Sequence, residues 1–109
     1  MNIQPTSSNP KALWSMSVSG ALSASFFQKD GTSREGIDWA VQLMRGNEKV
    51  PVIVRMYFVA GTTAETRSNT KYLSSVVLRR VNDLLNGGWD PKSFDLSQAQ
   101  DMAIFVSNP

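Results

Sequence analysis

The feature that most constrains the fold is a period-two alternation of apolar residues around Gly20. Serines fill most of the gaps between its six apolar members, which are Trp14, Met16, Val18, Leu22, Ala24 and Phe26. Such alternation is typical of a half-buried β-strand with one apolar and one polar face. The segment is therefore either one long strand or a hairpin. For a hairpin we favour a three-residue turn centred on Gly20, because it places Val18 opposite Leu22 and keeps the apolar face intact.

A turn and a helix are predicted next. Residues 29–31 (Lys-Asp-Gly) are typical of a turn, and residues 32–35 (Thr-Ser-Arg-Glu) match a capping box that begins a helix. Gly46 provides a natural stop for that helix. Its apolar stripe consists of Ile37, Ala40, Val41 and Met44.

Three further elements complete the prediction. Residues 50–60 read VPVIVRMYFVA, which is β-branched, aromatic and apolar on both faces, as expected of a central strand. A second helix is expected from about Asn69 to Asn86, and a short final strand at 102–107. The inner face of the second helix is predicted to consist of Leu73, Val76, Val77, Val81 and Leu84.

The predicted order is β(β)αβαβ, which indicates an α/β fold, with α+β as the alternative. We expect a small two-layer sandwich with both helices on one face of a three- or four-stranded sheet. The 109 residues fit a single domain at 12–109, preceded by a flexible lead-in at 1–11.

Composition excludes several classes of active site. The chain has no Cys and no His, so disulfides, Cys/His zinc sites and His-activated nucleophiles are impossible. The nine acidic residues form no metal motif, so we expect no catalytic residue, metal or cofactor, and no enzyme activity. Without a signal peptide or an apolar run of about 20 residues, we expect a cytoplasmic protein of a host, phage or mobile element, with no membrane partner.

The alternation of side chains between the two faces of the central strand, which we call its parity, suggests a binding face. If Val52, Val54 and Phe58 face the core, Arg55 and Tyr57 turn toward the serine side of the sheet. Phe105 of the last strand is expected beside them. Serine hydroxyls, an arginine and two aromatic rings on one face would suit stacking of unpaired bases and phosphate contacts.

Structural interpretations of the same residues stay open. Tyr57 and Phe105 could belong to the core, or residues 89–100 could cover the face. Arg55, and Arg80 in the second helix, could extend to the edge of their layer or pair with carboxylates.

A second candidate anion site lies where the loop after the central strand enters the second helix. Arg67 and Lys71 flank that point. Helix N-termini present free N–H groups and the positive end of the helix dipole. We therefore include both residues among the predicted nucleic-acid contacts.

The order of elements also resembles that of RusA-type Holliday junction resolvases. The resemblance spans about three quarters of the chain and rests on a helix opening at 33–36 (Ser-Arg-Glu-Gly), Asn69 in the second helix, and Trp89-Asp90. That family has aspartates where the loop enters the second helix, and this chain has Thr-Arg-Ser at 66–68. The resemblance therefore implies an inactive relative.

Two functions follow as expectations. The first is a non-enzymatic accessory protein that binds single-stranded nucleic acid, which the net charge of +2 permits. The second is a protein-interaction module, such as an assembly subunit, a homo-oligomer or an inhibitor encoded by a phage or plasmid. Three Trp residues could anchor such an interface.

Overall fold

Across the residues that the structure describes, the fold is α+β, with one mixed β-sheet and two α-helices. The computed structural model describes residues 6–9 and 14–109. The strands are β1 (Thr6–Asn9), β2 (Trp14–Ala21), β3 (Ser25–Lys29), β4 (Thr32–Arg45), β5 (Glu48–Phe58) and β6 (Ala99–Val106). The helices are α1 (Ala64–Ser68) and α2 (Thr70–Asn86), followed by a 3₁₀ turn at Pro91–Ser93.

The long strand β4 organises the sheet, whose main order is β1-β2-β4-β5-β6. On one side of β4, its second half pairs with β2 and its first half with β3. On the other side β4 pairs with β5 over ten residues. The described pairings are antiparallel except β5 with β6, which is parallel because α1 and α2 form the crossover between them.

The strand character of the serine-rich segment is confirmed for β2 and β3, but the segment is neither one long strand nor a hairpin, the two alternatives that the sequence left open. β2 and β3 do not pair with each other, because the 14-residue β4 is long enough to receive both. Trp14 and Val18 lie in the core. Leu22 and Phe26 continue the same alternation but lie beyond the core and are exposed.

The predicted first helix is wrong, because that segment is strand β4. Its sequence also carries a period-two pattern of larger apolar side chains, Ile37, Trp39, Val41 and Leu43. Pairing on both sides buries that pattern, which outweighs the weaker helical stripe. Gly46 therefore ends no helix. It has φ 61° and begins the two-residue turn between β4 and β5.

The predicted turn at residues 29–31 joins β3 to β4. Asp30 and Gly31 have φ values of 54° and 76°, and Lys29 pairs with Thr32 across the turn. Positive φ at both central residues is what a tight two-residue hairpin requires. The predicted turn is therefore confirmed, although a strand follows it and not the predicted helix.

The core lies between α2 and one face of the sheet, which we call the helix face. The predicted parity of β5 is observed, since Val52, Val54 and Phe58 are buried there. Helix α2 follows its predicted range, and the Asn69 side chain accepts a hydrogen bond from the Tyr72 N–H to cap it. Its buried apolar residues are Leu73, Val77, Leu78, Val81 and Leu85, whereas Val76 and Leu84 are only half-buried.

Three other predictions can be compared with the structure: the flexible lead-in, the start of the last strand and the position of residues 89–100. The lead-in predicted as flexible contains strand β1, and the rest of residues 1–11 lies outside the described residues. The last strand begins three residues earlier than predicted, at Ala99. Trp89 and Phe94 of the segment at 89–100 pack against the core of the helix face.

Within the described residues, neither α-helix has the length and apolar character needed to cross a bilayer.

Candidate functional site

The candidate site lies on the sheet face opposite α2, which we call the open face. Three of the predicted site residues meet there: Arg55 and Tyr57 of β5, and Phe105 of β6. Tyr57 pairs with Phe105 in the β5–β6 register, and Arg55 pairs with Asp101. β3 brings Phe27 to the same cluster, since its ring contacts both Arg55 and Tyr57.

Arg55 is held in place by Asp38 of β4, its neighbour in the register. Its Nε and Nη2 donate to the two oxygens of that carboxylate at 2.8 and 3.0 Å. The guanidinium also lies 3.7 Å from the Phe27 ring centroid. The hydrogen bond to Asp38 raises the pKa of Arg55, although partial burial opposes it. Arg55 is therefore on the predicted face, but its charge is already matched by a carboxylate.

Tyr57 is enclosed, with 1% of its surface exposed. Its hydroxyl donates to Asp101 Oδ2 at 2.8 Å, and Phe27 meets its ring edge-on at 6.4 Å. Burial, together with the hydrogen bond to Asp101, raises the pKa of Tyr57 to about 12. Tyr57 therefore supports the cluster from beneath and presents almost no surface to a ligand.

Asp101 connects the polar groups of the cluster. Besides Tyr57, it accepts a hydrogen bond from Lys29 Nζ at 2.8 Å and one from the Ala103 N–H at 2.9 Å. Burial raises the pKa of Asp101, but these donors outweigh it and leave the pKa below its ordinary value. Ala103 has φ 54°, at a point where the β5–β6 register shifts. Asp101 directly precedes this bulge and remains partly exposed while it contacts Lys29 and Tyr57.

Phe105 is the exposed aromatic residue of the cluster, with 41% of its surface accessible. Its ring stacks on Tyr57 at 5.4 Å, with 26° between the ring planes. The Arg34 guanidinium lies 5.6 Å from the Phe105 centroid. Across the part of the chain that the structure describes, Arg34 forms no ion pair, and its buried Nε has no hydrogen-bond partner.

Gly36 makes this packing possible. It pairs with Tyr57 in the register, and the Phe27 ring lies directly over it. A Cβ at this position would lie 2.3 Å from the Met56 carbonyl oxygen and 3.2 Å from the Phe27 ring. The absence of a side chain at Gly36 therefore lets Phe27 approach the sheet and cover the edge of Tyr57.

Arg67 and Lys71 do not join this cluster. Arg67 of α1 forms an ion pair with Glu35 and lies over the Phe58 ring, which places it on the helix face. Lys71 is exposed in the first turn of α2. The sheet therefore separates the predicted anion site at Arg67 from the cluster that contains Arg55, Tyr57 and Phe105.

Sequence reasoning missed five members of the cluster: Phe27, Lys29, Arg34, Asp38 and Asp101. Arg34 was assigned to a helix start, so its place beside Phe105 was hidden. Phe27 and Lys29 could have been identified by extending the period-two alternation along β3. That alternation places both side chains on the same face as the serines. Asp101 preceded the predicted start of the last strand, and its position depends on the bulge.

Comparisons with known proteins supply no relative. No protein-family model, no curated protein and no solved structure matches the chain. The resemblance to RusA-type resolvases relied on a helix opening at residues 33–36, and these residues lie in β4. Within the described residues, no three acidic side chains lie close enough to hold a metal ion.

Proposed function

We propose that the protein binds single-stranded nucleic acid on the open face, with Phe105 as the stacking surface and Arg34 as the phosphate contact. In this proposal the protein acts without catalysis. The cluster holds two kinds of side chain that non-specific single-strand binding uses, an exposed aromatic ring and a cation with free donors.

A single observation carries the proposal: an arginine without an ionic partner among the described residues lies over a half-exposed phenylalanine. The Nη groups of Arg34 are not among the buried unpaired atoms and form no hydrogen bond or ion pair within the described residues, so they are the donors for which a ligand can supply the acceptor. A phosphate oxygen is a strong acceptor for a guanidinium. The neighbouring ring would receive a base, because every base has an apolar π-face.

The buried members of the cluster support this role indirectly. Tyr57 stacks behind Phe105, and Asp101 holds the Tyr57 hydroxyl. Side chains fixed by packing and hydrogen bonds lose less freedom when a ligand binds. Arg55 and Tyr57, predicted as direct contacts, therefore enter the proposal as the support for Phe105 and Arg34.

A second candidate is a protein interface on the same face. Half-buried apolar side chains, Ala40, Met44 and Ile53, lie along the middle of the open face. Arg55 is neutralised there by Asp38, and Lys29 by Asp101. A face whose charges are paired internally is suited to contact with another protein surface.

Gel filtration with a labelled single-stranded oligonucleotide separates the two candidates. Nucleic-acid binding predicts co-elution that weakens between about 50 and 200 mM salt, because binding releases counterions. A protein interface predicts elution as an oligomer whether or not the oligonucleotide is present. A monomer that never co-elutes with the oligonucleotide at low salt would contradict the proposal.

Two Arg34 variants test the phosphate contact itself. Arg34→Gln should weaken binding and reduce the salt slope by about 0.7, the value for one phosphate on a single strand. Arg34→Lys keeps the charge, so it should preserve the salt slope while losing the planar contact over Phe105. Equal salt slopes for Arg34→Gln and the unmodified protein would exclude Arg34 as a phosphate contact.

A further inference from the structure

Three depressions, with volumes of about 430, 370 and 210 Å³, form a groove beside α2. The second and third lie along the outer edge of β6, whereas the first contains no residue of β6 and is lined by Trp14, Arg45 and the segment that follows α2. Trp89 lines both the first and the second, whereas Arg80 and Ala103 line both the second and the third. Phe105 also lines the third depression, so the groove ends beside the candidate site.

Basic residues outnumber acidic ones along the groove. Its charged lining residues are Lys29, Arg45, Arg79, Arg80 and Lys92 against Asp83, Asp90 and Asp101. At the end far from Phe105, Arg45 and Lys92 share one carboxylate, that of Glu48. Asp90 also lines that end, so its two cations face two carboxylates there, and the positive excess lies over the groove as a whole, whose lining carries five basic and three acidic residues.

Aromatic rings alternate with these cations. Trp89 lies between the first two depressions and is fixed by contact with Phe94. At the far end, the buried Trp14 ring lies beneath the Arg45 guanidinium, 4.4 Å from it, so it fixes that cation and is not itself a stacking surface. Phe105 and Trp89, with Arg80 between them, match the pattern expected where successive bases stack and the backbone follows.

The edge of β6 is poorly suited to an added peptide strand. Arg80 Nε donates to the Met102 carbonyl, and Asp101 Oδ1 accepts from the Ala103 N–H. The Tyr72 hydroxyl donates to the Ser107 carbonyl just beyond the strand. Side chains thus occupy backbone groups that a pairing strand would need, and the bulge at Ala103 interrupts the edge.

We infer that a single-stranded nucleic acid bound at Phe105 continues along this groove, past Arg80, to a second stacking position at Trp89. The phosphates beyond Trp89 reach Arg45 and Lys92. This inference rests on the proposed function and extends it from one stacking site to a track of several nucleotides. It also assigns Arg80 a contact with the bound backbone.

A length series tests the track, using oligothymidines of about 4, 8, 12 and 16 nucleotides and the matching oligouridines. The fluorescence anisotropy of labelled oligonucleotides at low salt should show affinity rising at least about tenfold from the shortest to the longest. Lys92→Gln should weaken binding of the long oligonucleotides and leave the shortest unchanged. The matched control is Lys49→Gln, which removes an exposed lysine that does not line the groove.

Trp89→Leu provides a second variant, with an expected loss of at least about fivefold for the long oligonucleotides only. Lys92→Gln is a surface change, so it keeps the test decisive if Trp89→Leu fails to fold. Affinity independent of length, or equal effects of Lys92→Gln and Lys49→Gln, would overturn the track and leave binding at Phe105 intact. Failure of the unmodified protein to bind any of these oligonucleotides would overturn the proposed function as well.

Discussion

The ring of Phe105 stacks on the ring of Tyr57 at a centroid separation of 5.4 Å, and only the Phe105 ring is substantially exposed. The buried member is fixed by Asp101 at its hydroxyl and by Phe27 at its edge. An exposed aromatic residue is therefore backed by a rigid one. Such support holds the outer ring ready for a flat ligand at little entropic cost.

Gly36→Ala should destabilise the protein by about 1–3 kcal/mol, as expected for overpacking. The new Cβ would lie 2.3 Å from the Met56 carbonyl oxygen, so the backbone or Phe27 would have to move. Gly20→Ala is the matched control, because no atom lies within 4 Å of its added Cβ, and it should change stability by less than about 0.5 kcal/mol. Urea denaturation measures both, and equal midpoints for the two variants would contradict the packing described for Phe27.

The Arg55–Asp38 pair should contribute to stability. Arg55→Ala or Asp38→Ala removes one partner from a part-buried pair, and each should cost about 1–3 kcal/mol. The double variant should cost less than the two single changes together, because neither charge is then left alone. Strict additivity in urea denaturation would show that the two side chains are not coupled.

The Tyr57 phenol should lose its proton at a higher pH than an ordinary tyrosine does. Its pKa is raised from 10.0 to about 12, so the folded state favours the protonated phenol. The resulting stabilisation is fully present below pH 10 and is lost as the pH rises through about 12. Ultraviolet titration of tyrosinate should show one component near pH 12 that is absent from Tyr57→Phe. If Tyr57→Phe removes a component near pH 10 instead, the hydroxyl is not enclosed as described.

For strand β4, the sequence alone could not decide between a helix and a strand. Ile37 and Val41 fit both a helical stripe with Ala40 and a strand alternation with Trp39, so periodicity alone could not choose. The choice depends on partners distant in sequence, namely β2, β3 and β5. Helix α2 could be predicted because the apolar stripe between Asn69 and Asn86 has the spacing of a helix and has no competing strand alternation.

The candidate site was predictable in part for the same reason. The parity of β5 placed Arg55 and Tyr57 on the open face, because strand alternation is a local property. Their burial was not predictable, because it depends on Phe27, which reaches them only through the β3–β4 pairing. The error at β4 also hid Arg34, the cation that the proposal uses.

Titration of Phe105→Ala with a labelled single-stranded oligonucleotide measures how much the Phe105 ring contributes to binding, with Phe26→Ala as the matched control. Phe26 is 70% exposed, more than Phe105, but lies on β3 away from the stacked rings. We predict that Phe105→Ala weakens binding by about 1–3 kcal/mol, the value of one lost stacked base, and that Phe26→Ala binds as the unmodified protein does. Equal affinity of Phe105→Ala and the unmodified protein would exclude Phe105 as the stacking surface.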